Sequence, residues 1–134
     1  MTARVMVIND DQAILDLYRL LLEGEGYETH LSMIAMEDVR QIKELAPDCI
    51  ILDLKLGFGR NGLTLLQQLK MYRPTADIPV ILCTAAIKMV REQEEIFKQK
   101  GIPVVYKPFD VDELLEVVQS SILAGKQMSA IPAD

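Results

Sequence analysis

Five short apolar runs rich in β-branched residues alternate along the chain with five stretches in which apolar residues recur at helical spacing. The runs cover about 4–9, 27–31, 48–53, 78–84 and 102–106. Cys49-Ile50-Ile51-Leu52 and Val80-Ile81-Leu82-Cys83 are apolar without interruption, as expected of strands buried on both faces. The first helix is marked by Ile14, Leu17, Tyr18, Leu21 and Leu22, with Gly24 or Gly26 to end it. The last carries Val111, Leu114, Leu115, Val118 and Ile122 on one face, after Asp110 as N-cap. Helices over 35–46, 61–71 and 88–100 fill the gaps, stopped by Pro47, Pro74 and Gly101. The fourth has the weakest apolar pattern, Val90, Ile96 and Phe97. Such alternation predicts an α/β domain, a parallel sheet with helices on both sides. Ala124 to Asp134 reads as a flexible tail or the start of a linker.

Composition narrows the picture. The 134 residues suit one domain, and 50% hydrophobic with 25% charged residues is enough for a core. A net charge of −6 with no basic block argues against a grip on nucleic acid or an anionic membrane. The longest uncharged stretch, Ile78 to Ile87, is half the roughly 20 residues that cross a bilayer, and no signal peptide is expected. A cytoplasmic location follows as the expectation. Cys49 and Cys83 lie inside apolar runs without metal-ligand spacing and read as buried thiols.

The chemistry gathers at the strand ends, where parallel α/β sheets place their sites. Strand one ends in Asn9-Asp10-Asp11, strand three in Asp53 and strand four in Thr84, while strand five leads into Lys107-Pro108. With the first, third, fourth and fifth strands adjacent, these side chains would converge on one edge. Clustered carboxylates repel unless a cation sits among them, and oxygen ligands favour Mg²⁺. A hydroxyl and an ammonium beside the metal suit a phosphoryl group, with Asp53 placed to carry it as an acyl phosphate. Each residue alone has a plainer reading: Asp10, Asp11 or Asp53 as a helix cap, Thr84 as a strand-end hydroxyl, Lys107 as a solvated lysine. Their joint placement at four strand ends is what those readings do not predict.

These residues, with their surroundings, resemble a response-regulator receiver domain, the phosphoacceptor of two-component signalling. The resemblance rests on Val7-Ile8-Asn9-Asp10-Asp11, Glu25-Gly26-Tyr27-Glu28, Ile50-Ile51-Leu52-Asp53-Leu54, Pro79-Val80-Ile81-Leu82-Cys83-Thr84-Ala85 and Lys107-Pro108-Phe109. It spans about residues 3 to 123, taken as the domain 1–123 with 124–134 as tail. It implies a flavodoxin-like, doubly wound five-stranded parallel sheet in the order 2-1-3-4-5 with five helices. It further implies Asp53 as the phosphorylated residue, Asp10 as a direct Mg²⁺ ligand and Asn9 as the holder of a metal-bound water. The backbone carbonyl of Lys55 would ligate the metal, and Thr84 and Lys107 would bind the phosphoryl oxygens. Asp11 would assist or only cap the first helix. The Lys107-Pro108 bond resembles one that is usually cis in the family.

The resemblance makes the chain a signalling switch rather than an enzyme. It would take its phosphoryl group from a sensor histidine kinase or a histidine phosphotransfer protein. Output would go to a downstream protein target through the face of the fourth helix, fifth strand and fifth helix, with a homodimer as another outcome there. The alternative is a degenerate receiver that acts as an interaction module without phosphorylation.

The chain departs from the family at several points. Asn9 replaces an acid and removes one negative charge. The loop from Leu54 to Gly62 is one residue longer and glycine-rich. Val104 stands where relatives usually carry an aromatic, and Tyr106 is expected to be at the wrong strand parity to replace it. Two features are set aside. Gly57-Phe58-Gly59-Arg60-Asn61-Gly62 matches a dinucleotide-binding pattern, but Asp53 before it would repel a pyrophosphate. His30 lies away from the cluster. Finally, Lys55 and Ala86 occupy the positions that flank an attacking water in receivers, and neither offers an amide or carboxylate to orient it. Self-dephosphorylation is therefore expected to be slow, and loss of label from Asp53 within seconds would contradict this.

Overall fold

Strands buried on both faces need a layer on each side, and the computed structural model has that arrangement. It describes residues 2–9, 11–33, 39–53, 62–84, 93–107 and 110–130. β1 (Arg4–Ile8), β2 (Glu28–Ser32), β3 (Cys49–Leu52), β4 (Val80–Thr84) and β5 (Val104–Tyr106) form one parallel sheet in the order β2-β1-β3-β4-β5. Every residue of β3 and β4 is buried, whereas the edge strand β2 is only half-buried. This is the order and the parallel sense that the resemblance implies.

Six helices are seen among the described residues, against five expected. They are α1 (Gln12–Gly24), α2 (Val39–Leu45), α3 (Gly62–Met71), α4 (Arg73–Ala76), α5 (Glu94–Gln99) and α6 (Val111–Ala130). The extra one is α4. Pro74 sits in its first turn, so the residue read as a stop for α3 also starts the next helix. The two are joined by the buried Thr75, whose hydroxyl lies 2.7 Å from the Leu69 carbonyl, and by Lys70, whose ammonium donates to the Ala76 and Ile78 carbonyls. Burial lowers the Lys70 pKa, with Asp77 opposing the shift.

Period-two alternation sorts the strands between two cores. One face places Met6, Ile8, Ile50, Leu52 and Leu82 under Ile42 of α2, Leu65, Leu66 and Leu69 of α3, and Phe97 of α5. The other places Val5, Val7, Ile51, Ile81, Cys83 and Val105 under Leu15, Tyr18 and Leu22 of α1 and Leu114, Val118 and Ile122 of α6. This corrects the expectation for Tyr106. Val104 and Tyr106 both pack on the first face and only Val105 turns to the second, because residues two apart in a strand share a side.

Helix ends follow the chemistry of their caps. Gly26 (φ 88°) follows α1 and Gly101 (φ 70°) follows α5, each in the left-handed region that glycine enters without strain. In both, the next residue's N–H reaches back five residues: Tyr27 to the Leu22 carbonyl and Ile102 to the Phe97 carbonyl. Asp110 caps α6 by accepting from the Asp112 N–H. That helix continues to Ala130, past the start of the expected tail at 124. Ala124, Lys126, Gln127, Met128 and Ala130 are good helix formers that carry no core-facing signal to read.

Burial has one measurable consequence here. Cys49 is fully buried, and burial, reinforced by the Asp48 charge, pushes its thiol up from 9.0 to about 12. Between those values the unfolded thiol loses its proton while the native one keeps it. Stability is therefore constant below about pH 9 and falls above it, by roughly 1 kcal/mol per pH unit from this group. Cys83 and Tyr18 act in the same direction. Cys49→Val should flatten the decline between pH 8 and 10 in urea unfolding, without abolishing it.

Candidate functional site

The sheet ladder runs one residue beyond β1, β3 and β5 and carries polar residues with it. The Asn9 N–H donates to the Ser32 carbonyl at 3.0 Å, Asp53 N–H to Ile8 at 3.1 Å, and Lys107 N–H to Thr84 at 2.9 Å. Backbone pairing thus fixes Asn9, Asp53, Thr84 and Lys107, four candidate positions, at the C-terminal edge of the sheet, whatever their side chains do. Among the described residues the buried polar or charged ones are Asn9, Asp53, Thr75 and Thr84, and three of these belong to this edge.

The side chains meet on one oxygen. Lys107 Nζ donates to Asp53 Oδ2 at 3.1 Å, and Asn9 Nδ2 donates to the same atom at 3.3 Å. A carboxylate removed from water needs such partners, because desolvation of a lone anion costs several kcal/mol. Lys107 supplies the charge and Asn9 a neutral donor. The Asn9 amide is held in that sense from behind: its Oδ1 accepts the Asp11 N–H at 2.9 Å, which leaves the NH₂ facing Asp53. Asn9 therefore meets Asp53 directly.

Asp11 takes the helix-cap option of the two that its sequence position allows. Its backbone is extended (φ −112°, ψ 115°), and its Oδ1 accepts the Ala13 N–H at 2.9 Å. Thr84 is buried at the end of β4 and pairs in register with Tyr106. Asp10, Lys55, Ala86 and the Lys107-Pro108 bond, with the Gly57 to Asn61 part of the loop, lie outside the described residues.

One neighbour was not foreseen. The Tyr18 hydroxyl of α1 donates to Cys83 Sγ at 2.9 Å, beside Thr84 in the chain. Burial foremost, then Cys83 and lastly the Asp53 charge push the Tyr18 hydroxyl well above the usual range for a phenol. Its helical spacing marked Tyr18 as core and gave no sign of the bond. A large open groove of about 1170 Å³ lies elsewhere, between the C-terminal part of α3, the middle of α6 and the residues Pro79 and Pro103 that precede β4 and β5. No helix among the described residues is long and apolar enough to cross a membrane.

Comparison with known proteins gives one consistent answer. A family model described as the response regulator receiver domain matches residues 5–119. The polar-differentiation response regulator DivK of Brucella ovis is 32% identical over 121 residues, covering 90% of this chain and 96% of DivK. The DNA-binding dual master transcriptional regulator RpaA of Synechocystis is 35% identical over 117 residues, covering 87% of this chain. The chain spans about half of RpaA, 48% of its length. The crystal structure of a CheY-like response regulator receiver domain protein from Methanospirillum hungatei superimposes with a TM-score of 0.81 at 26% identity. That match covers 96% of this chain and 99% of the other.

The Asn9 to Asp53 contact can be tested by charge. Asn9→Asp replaces a donor with a second carboxylate about 3.3 Å from the first. In a chelator at pH 7 the variant should lose about 1–3 kcal/mol of unfolding free energy. Protonation of either carboxyl removes the repulsion, so the loss should shrink as pH falls toward 4. Urea unfolding at the two pH values checks both signs.

Proposed function

The chain belongs to the response-regulator receiver family of two-component systems, and from that membership we propose that Asp53 accepts a phosphoryl group which Lys107 and Thr84 hold. Phosphoryl acceptance is typical of the family. The observation that carries the reading for this chain is the Asp53 carboxylate, buried at a strand end with the Lys107 ammonium on one of its oxygens. In the transfer, the phosphorus–nitrogen bond of a phosphohistidine breaks and a phosphorus–oxygen bond to Asp53 forms. The imidazole leaves with the electron pair. The carboxylate charge is replaced by that of the phosphoryl oxygens, so Lys107 keeps an anion within reach throughout. The Thr84 hydroxyl, at the adjoining strand end, donates to another phosphoryl oxygen.

Receiver domains generally bind Mg²⁺ at an acidic pocket, and the donor set here suits a hard cation in part. Asp53 offers carboxylate oxygen, with Asp10 and the Lys55 carbonyl as the further ligands we propose. Asn9, as it stands, turns nitrogen rather than oxygen to Asp53, so it fits best as a partner of Asp53 or, with its amide reversed, as holder of a metal-bound water. Asp11 would contribute only by giving up its cap. Bound Mg²⁺ would neutralise charge that develops on the transferring group. The acyl phosphate then shifts an equilibrium between two conformations and alters what the outer face binds. The partners we propose are a sensor histidine kinase or phosphotransfer protein upstream and a protein target downstream, in the cytoplasm.

A second reading is favoured by Asn9. Its NH₂ helps compensate Asp53 without a metal, which would suit an interaction module that is never phosphorylated. Intact mass after incubation with acetyl phosphate, with and without Mg²⁺, separates the two. The phosphoacceptor gives one Mg²⁺-dependent adduct that Asp53→Ala abolishes. No adduct with any divalent ion would establish the interaction module.

A further inference from the structure

The groove of about 1170 Å³ lies at the opposite end of the sheet from Asp53, and the phosphoacceptor reading makes no use of it. Its size is comparable to the roughly 300–1,000 Å³ of small-molecule sites, which are mostly apolar with a few convergent polar groups. The lining has that character. Met71 of α3, Val117 of α6 and the two prolines Pro79 and Pro103 supply apolar surface. The α6 wall is set close. A Cβ added at Gly125 would come within 2.9 Å of Pro79 Cγ, so glycine, a poor helix residue, lets α6 lie against the residue that precedes β4.

Two cations line the same space, Lys70 and Lys100. Lys70 Nζ gives two of its three hydrogens to the Ala76 and Ile78 carbonyls, at 3.2 and 3.3 Å, which leaves a third. Among the described residues neither lysine is in an ion pair. Burial disfavours the Lys70 charge, the Lys100 charge adds to that, and Asp77 opposes both. One anionic group beside the two lysines would relieve their repulsion. A second would be rejected, because the carboxylates of Asp77 and Glu116 line the groove too.

We propose that this groove binds an amphipathic monoanion, an apolar body ending in a single carboxylate: the body lies along Met71, Pro79, Pro103 and Val117, and the carboxylate pairs with Lys70 and Lys100. The proposal does not depend on the phosphoacceptor reading of Asp53. A merely apolar surface prefers an alcohol to a carboxylate of equal chain length, since the carboxylate has more hydration to lose. This groove reverses that order.

Titration of the ¹⁵N-labelled chain with octanoate and with octan-1-ol at neutral pH tests it. Octanoate should move the amide signals of Gly101, Ser121 and Gly125 saturably, and octan-1-ol should bind about tenfold more weakly. Octane-1,8-dioate, which adds a second carboxylate, should also bind more weakly than octanoate. Lys70→Gln should weaken octanoate about tenfold. Because Lys70 also holds two backbone carbonyls, Lys100→Gln is the second variant: Lys100 is exposed, and its loss should weaken octanoate about threefold while leaving octan-1-ol unchanged. Octan-1-ol bound as tightly as octanoate, or octanoate affinity unchanged in Lys100→Gln, would overturn the proposal. So would signals that move without those of the groove. The absence of any saturable shift with octanoate would overturn it as well, and would leave the groove to a protein partner.

Discussion

A carboxylate buried at the end of an apolar strand is the constraint around which this domain is arranged. Asp53 closes β3, a strand with no exposed residue, and water cannot solvate it fully there. Among the described residues, β1 and β5 end at the same level and bring Asn9 and Lys107 to its oxygen, which offsets that loss. Those partners are 44 and 54 residues away in sequence, so no local structure could supply them. The strand order is what does so. Placing β3 beside β1 and joining β5 through β4 puts Asn9, Asp53, Thr84 and Lys107 on one edge.

The same edge touches both cores. On β4, Cys83 turns to the face of α1 and α6 and bonds Tyr18, while Thr84 turns to the opposite face beside Tyr106. Two adjacent residues thus connect the site to separate helical layers. The Asp53 charge bears on Tyr18 only as the least of the causes that hold its hydroxyl up, while Thr84 adjoins Tyr106 through the β4–β5 pairing. The two routes differ in kind. Tyr18 is engaged in a hydrogen bond, whereas the Tyr106 hydroxyl has no partner among the described residues.

The fold was legible because its strong signals are local. Cys49 to Leu52 and Val80 to Thr84 are continuous apolar runs, and their burial on both faces follows directly. Gly26 and Gly101 mark helix ends by a backbone requirement that few residues meet. The errors came where a signal has two readings or where the outcome depends on partners distant in sequence. Pro74 stops one helix and starts another. The residues after Ala124 are helix formers without an apolar stripe, so composition suggested a tail where α6 continues. The parity of Tyr106 follows from Val104, since residues two apart in a strand share a face. At the site, residue types and strand ends were readable, but the direction of the Asn9 amide was not. It depends on the Asp11 N–H behind it and on Asp53 in front.

The bond from the Lys107 N–H to the Thr84 carbonyl separates two timescales. It pins the Lys107 backbone to the sheet, where movement would require a ladder to open, an event of microseconds or longer. The half-buried lysine side chain is free of that restraint, and rotamer changes of exposed side chains take picoseconds to nanoseconds. The ammonium can therefore be re-aimed by side-chain rotation alone, while the backbone that carries it stays with the sheet.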